Sequence, residues 1–320
     1  MSSLRSEILE WARQGRIAPG DLRNALEAGG ALPDAQAWRR FLDRLLLFMG
    51  TVMLAAALVF FLAYNWQALG RFGKFALAEG LIVAGLAVVW WRGLERLSGQ
   101  AVLLFSALAA GALLALVGQV YQTGADTFEL FAAWAVAIAP WVLLARFPTL
   151  WILWLAVVNV ACALYFDAFP GALVFFGPER QLWALFFLNT AALAAWEASA
   201  AGGLAWLRER WTVRLVATAS GAFATAVAIE SIFDDRGAAW GVAAWAAWLV
   251  AAYLVYRRTI KDLYVLAGGA LSAIVVVAAF LADSLRVQDA GALLFIGLVV
   301  VAMSAAAGVW LRLVAAEERR

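Results

Sequence analysis

Apolar and polar positions along this chain alternate on a scale of about twenty residues, not of two or four. Leu45 to Ala63 carries no charged side chain, and about 20 residues of helix are what the ~30 Å hydrocarbon core of a bilayer requires. Similar runs follow at about 72–91, 102–120, 128–145, 150–166, 182–201, 213–229, 238–256, 263–281 and 290–311. Short polar stretches separate them. The pattern predicts an all-α, polytopic transmembrane helix bundle of about ten helices, occupying residues 45–312 and followed by a short tail, 313–320. Only residues 1–44 read differently. Leu4, Ile8 and Trp11 fall at i, i+4, i+7; Gly15 ends that helix, and Pro19 opens a second with Leu22 and Leu26. Gly29 and Gly30 then break the chain, and Pro33 and Asp34 start the helix that enters the membrane. Two such short helices bury little. They predict an amphipathic hairpin lying on the membrane surface or on the bundle's cytoplasmic ends, with a partner-binding module as the other reading.

Composition agrees with a lipid-embedded chain. Of 320 residues, 66% are hydrophobic and 14% charged, and the mean hydropathy is +0.86, too apolar for a water-soluble fold of this size. Charge then sets orientation. With an even number of spans and a cytoplasmic N-terminus, 19 of the 24 Lys and Arg fall on the cytoplasmic side, among them Arg39, Arg40, Arg44, Arg146, Arg210, Arg214, Arg257 and Arg258. Arg71, Lys74, Arg180, Arg236 and Arg286 stay on the other. This is the positive-inside bias, and adding or removing one span would scramble it. Loop acids lean outward: Asp126, Asp167, Glu179, Asp234, Asp235, Asp283 and Asp289. Many of the 17 Trp, including Trp66, Trp90, Trp151, Trp211 and Trp310, fall at helix ends as an aromatic belt does. The expected location is a bacterial inner membrane, multi-pass, with both termini cytoplasmic.

The residue inventory excludes several chemistries. There is no His, and the single Cys162 lies inside an apolar run, which removes disulfides, Zn and Fe–S ligand sets and His-dependent triads. No phosphate-binding Gly-rich loop occurs, and no basic stripe with interleaved aromatics. Neither nucleotide nor nucleic acid is an expected partner, and no cofactor or metal is expected; the bilayer is the partner.

Chemistry is sought at ionisable groups inside the runs, since each costs about 2.5 to 3.5 kcal/mol at a helix centre on insertion scales. Glu79 is the leading candidate. It lies a few turns inside the second run, where Lys74 is on another face and cannot pair with it. Asn65, Lys74, Gln119, Tyr121, Gln122, Asp126 and Glu129, with Tyr64, belong to the same outer end and complete an expected outward-facing substrate or ion site. For all but Glu79 and Gln119 the ordinary alternative is solvation of helix ends. Glu197, near the inner end of its run, reads as a carboxylate snorkelling to the surface. Asn159 and Asn189 read as a hydrogen bond across a helix interface. Gly237 with Gly241, and Ala107 with Gly111, read as close helix packing.

The stretches AYNWQALGRFGKFALAE and GQVYQTGADTFELFAAWA, with ILEWARQGRIAPGDL ahead of the first span, resemble a family of predicted bacterial inner-membrane proteins catalogued as domain of unknown function 2157. The resemblance covers roughly residues 4 to 145. It implies a multi-pass membrane fold with a short cytoplasmic lead, implies a periplasmic or membrane companion protein, and carries no activity. Three functions remain in view. One is a transporter-like or lipid-handling bundle with its site at Glu79. Another is a non-catalytic scaffold or envelope-stress component engaging a partner through the hairpin or the outer loops. The least favoured is an intramembrane hydrolase or transferase, for which only carboxylates are on hand.

Overall fold

A computed structural model of the chain describes residues 2–30, 32, 34–65, 67–122, 124–169, 180–234, 240–285 and 290–317. Among the residues singled out above, Pro33, Trp66, Glu179, Asp235, Arg236, Gly237, Arg286 and Asp289 lie outside these ranges. The described residues form helices throughout: α1 Ser2–Arg13, α2 Leu22–Ala28, α3 Ala35–Tyr64, α4 Arg71–Arg92, α5 Leu97–Tyr121, α6 Thr127–Ala145, α7 Pro148–Ala168, α8 Arg180–Ala201, α9 Arg210–Phe233, α10 Trp240–Leu254, α11 Leu263–Ser284 and α12 Ala290–Glu317. Among the described residues, nine of these are long and apolar enough to cross a membrane, α3 to α9 with α11 and α12. The run expected at 238–256 corresponds to α10. That helix has 15 residues, about 22 Å at 1.5 Å per residue, and continues into a five-residue π turn, Val255–Thr259.

The helix ends follow from local chemistry. Asp34 caps α3 by accepting a hydrogen bond from the Ala37 amide at 2.6 Å, and Asn65 ends it with its side-chain amide donating to the Phe61 carbonyl at 2.9 Å. α3 is 30 residues long, about 45 Å, so it exceeds the bilayer core and carries the polar lead Trp38–Arg44 in one piece with the span. α1 packs on α2 through buried Ile8 and Leu26.

The bundle is built around two central helices. α5 packs against α3, α4 and α6, and ten of its residues are buried, because its Ala, Gly and Ser face neighbours on several sides. The Trp134 indole donates to the Ala107 carbonyl at 2.8 Å and its ring covers Gly111. α9 plays the same part for α8, α10 and α11. Hydroxyls and indoles join these helices: Thr190 with Ser220 at 2.8 Å, the Trp248 indole to Ser220 at 2.9 Å, Thr225 with Ser272 at 2.6 Å and the Trp245 indole to Ser272 at 2.8 Å. In hydrocarbon such groups must find partners within the protein. Asn159 on α7 and Asn189 on α8 pair side chain to side chain, at 2.6 and 3.3 Å. Gly241 faces Val227 and Ser231 of α9 with no room for a Cβ.

Candidate functional site

The expected outer site is only partly assembled. Glu79 lies eight residues into α4, about 12 Å along the axis from Arg71, on the exposed face that it shares with Ala76, Gly80 and Val83. Among the described residues it makes no hydrogen bond or ion pair. Lys74 turns the other way and is only 6% exposed, inside the bundle. The two groups occupy opposite faces. Gln119 is exposed near the end of α5, and Tyr64 and Tyr121 are exposed as well. Tyr121 is tied to a neighbouring helix, stacking on Phe75 with 5.9 Å between ring centroids beneath the Arg71 guanidinium, 6.0 Å above its ring. Asn65 and Gln122 occupy the C-terminal caps of α3 and α5, Gln122 in the left-handed region at φ 46°. Asp126 holds the N-cap position of α6, and Glu129 lies in its first turn, where a carboxylate complements the helix dipole.

A second polar constellation, at the opposite end of the bundle, is closed by ion pairs around one buried carboxylate, with its arginines partly exposed. The Asp262 carboxylate is 3% exposed. It accepts from Arg210 Nε and Nη2 at 2.9 and 2.8 Å, from Arg214 Nε at 3.2 Å and from the Tyr264 amide at 3.0 Å. Arg210 Nη1 donates onward to Glu197 at 3.0 Å. Glu197 is thus not a lone snorkelling carboxylate; its side chain is 14% exposed and held by an arginine of the next helix. The π turn after α10 brings Tyr256 under Arg210, guanidinium to ring centroid 5.8 Å, and leaves the Tyr256 carbonyl to accept from the Asp262 amide at 3.0 Å. Burial pushes the Asp262 carboxyl up, but the hydrogen bonds and charges of Arg210 and Arg214 outweigh it and hold it below the usual carboxylate range. Two arginines and two carboxylates, equal in formal charge, tie α8, α9 and α11 together. The only local sequence signal is that Arg210 and Arg214 share a helix face at i, i+4; nothing near them in the chain names their partners.

Residues 9–151 match the model of a family described as Predicted membrane protein (DUF2157). No curated protein matches the chain, and no solved structure matches it. The match takes in the helices around the expected outer site and stops at Trp151, before the ion cluster.

Beside that cluster runs a lateral groove of about 570 Å³ between α9 and α11, floored by Trp248 of α10. Ala217, Gly221, Ala222, Thr225 and Ile229 form one wall, and Tyr264, Gly268, Leu271 and Val275 the other. The twelve steps from Ala217 to Ile229 span about 18 Å. The small side chains keep the walls apart; a Cβ added at Gly268 meets nothing within 4 Å. At the basic end Thr218 and Tyr264 hydroxyls meet at 3.0 Å, and the Arg214 guanidinium lies 5.6 Å above the Tyr264 ring. Among the described residues, no group of three or more His, Cys, Asp or Glu could hold a metal ion.

Proposed function

We propose that this protein is a lipid-handling membrane bundle of ten spans, with residues 1–44 and 313–320 on the cytoplasmic side of a bacterial inner membrane, and that the α9–α11 groove takes up a lipid acyl chain. The observation that carries this reading is the groove itself. It is almost wholly apolar, about 18 Å long, and set among spanning helices, so a bilayer lipid is the molecule at hand to fill it. Its volume falls within the range of about 300–1,000 Å³ usual for small-molecule sites. Water gains little there, because apolar cavities stay dry.

A phospholipid bearing a photoreactive diazirine on its acyl chain, incorporated into membranes with the full chain, tests this. Cross-links concentrate on residues 217–229 and 264–275, and Gly268→Leu, which projects into the groove, lowers them several-fold without loss of folding. Equal labelling of every outward helix face, unchanged by Gly268→Leu, overturns the reading.

The second reading is an outward-facing site for a cation, proton or polar head group at Glu79, with Asn65, Gln119, Tyr121, Gln122, Asp126 and Glu129 near the same end of the bundle and Lys74 turned away from it. It is favoured by a carboxylate exposed about 12 Å along a spanning helix with no partner among the described residues. Ion or lipid flux in proteoliposomes that is lost in Glu79→Gln, while Gly268→Leu retains it, selects this reading over the first.

A further inference from the structure

A separate chamber of about 950 Å³ lies at the basic end of the molecule, between α3, the start of α5, the α6–α7 turn and the segment leading into α9. We propose that it is a binding site for one phospholipid with an anionic head group.

The chamber has a polar end and an apolar end, in the order in which a phospholipid carries them. Arg44 and Arg146 mark the polar end; Arg44 is the last charge before the α3 span, and Arg146 sits in the turn between two spans. Met53, nine residues beyond Arg44 on the same helix and on the same chamber wall, lies about 13 Å deeper. Phe48, Met49 and Val52 make that wall apolar between them. The polar end is too charged for an acyl chain alone, and the apolar end is too dry for water or a free ion. An amphiphile satisfies both.

Charge selects the kind of head group. Both arginines are exposed, and neither forms an ion pair among the described residues. The one acid on the wall, Glu209, already accepts from the Trp211 indole at 2.7 Å. The cavity therefore presents a net positive charge, with planar guanidinium donors that suit phosphate oxygens. A zwitterionic head would bring a cation toward the same arginines; an anionic one would not. Packing explains why the space exists. α3 packs chiefly against α5, so its inner half stands away from Trp206 and Trp211 with no protein between. The site shares no lining residue with the α9–α11 groove.

The test uses the full-length protein in detergent, titrated with dioleoyl phosphatidylglycerol or dioleoyl phosphatidylcholine and read by native mass spectrometry. The wild-type chain retains phosphatidylglycerol over phosphatidylcholine, and the preference falls about fivefold for each arginine replaced in Arg44→Gln and Arg146→Gln. The double variant approaches parity, Arg44→Lys with Arg146→Lys restores most of the preference, and Gly268→Leu leaves it intact. That last variant separates failure here from failure of the groove. Parity in the wild type overturns the proposal and requires no variant to fold; so does a preference that survives the double replacement in a folded chain. Displacement of phosphatidylglycerol by millimolar inorganic phosphate would reduce the site to one for free anions and equally overturn it.

Discussion

Replacing Asp262 with alanine leaves Arg210 partly buried without its closest carboxylate and strips the first turn of α11 of its cap. Breaking a buried ion pair by removing one partner costs about 3–5 kcal/mol; with Arg210 one-third exposed, the lower end applies, and the loss is read as a fall in thermal midpoint in detergent. The same carboxylate makes stability pH-dependent. Its folded pKa is depressed, so its contribution is full above the unfolded value of about 3.9 and is lost as pH falls through the folded one. A midpoint-versus-pH series therefore drops below about pH 4 in the wild type and less steeply in Asp262→Asn. Asn159 and Asn189 give a different signature. Either single replacement by leucine leaves the other buried amide short of a partner, whereas an apolar pair loses only a bond worth about 0.6 kcal/mol on average. A double-mutant cycle should show the double variant more stable than the sum of the singles. This amide pair was legible in the sequence, since polar side chains at helix-interior positions have few other places to go. The Asp262 constellation was not, because its members stand up to 65 positions apart and meet only through the α8, α9 and α11 packing.

Glycines of one composition sort into two classes once the helices pack. A Cβ at Gly241 would meet the Val227 carbonyl oxygen at 2.5 Å, so Gly241→Ala forces α10 from α9 at a cost of about 1–3 kcal/mol. Gly308 on α12 faces open space; Gly308→Ala should be neutral or stabilising by up to about 1 kcal/mol. Thermal midpoints of the two variants, measured side by side, check the contrast. The small-residue pattern alone could not separate them, because Ala and Gly line close interfaces and lipid-facing surfaces alike in so Ala-rich a chain. α1 and α2 behave as an attachment: they bury Ile8 and Leu26 against each other, and removing residues 1–30 should leave the bundle's melting unchanged.

Ten spans require both termini on one side. In a background lacking Cys162, a membrane-impermeant maleimide applied to intact cells should label Ala125→Cys between α5 and α6, and should reach Gln14→Cys and Ala316→Cys only after permeabilisation. Labelling of one terminus and not the other means an odd number of spans. The sequence by itself determined the all-helical class and the long apolar helices suited to a bilayer, because the bilayer imposes a length and an apolarity that can be read one segment at a time. The direction in which each polar side chain points is another matter. Glu79 and Lys74 lie five residues apart, and only the packing of α4 on α5 turned the lysine inward and the carboxylate out. Likewise the groove, the chamber and the Arg210–Asp262 pair are spaces and contacts between helices distant in the chain. Tertiary structure alone decided them, since hydrophobicity within a membrane marks what is in lipid without marking which helix stands beside which.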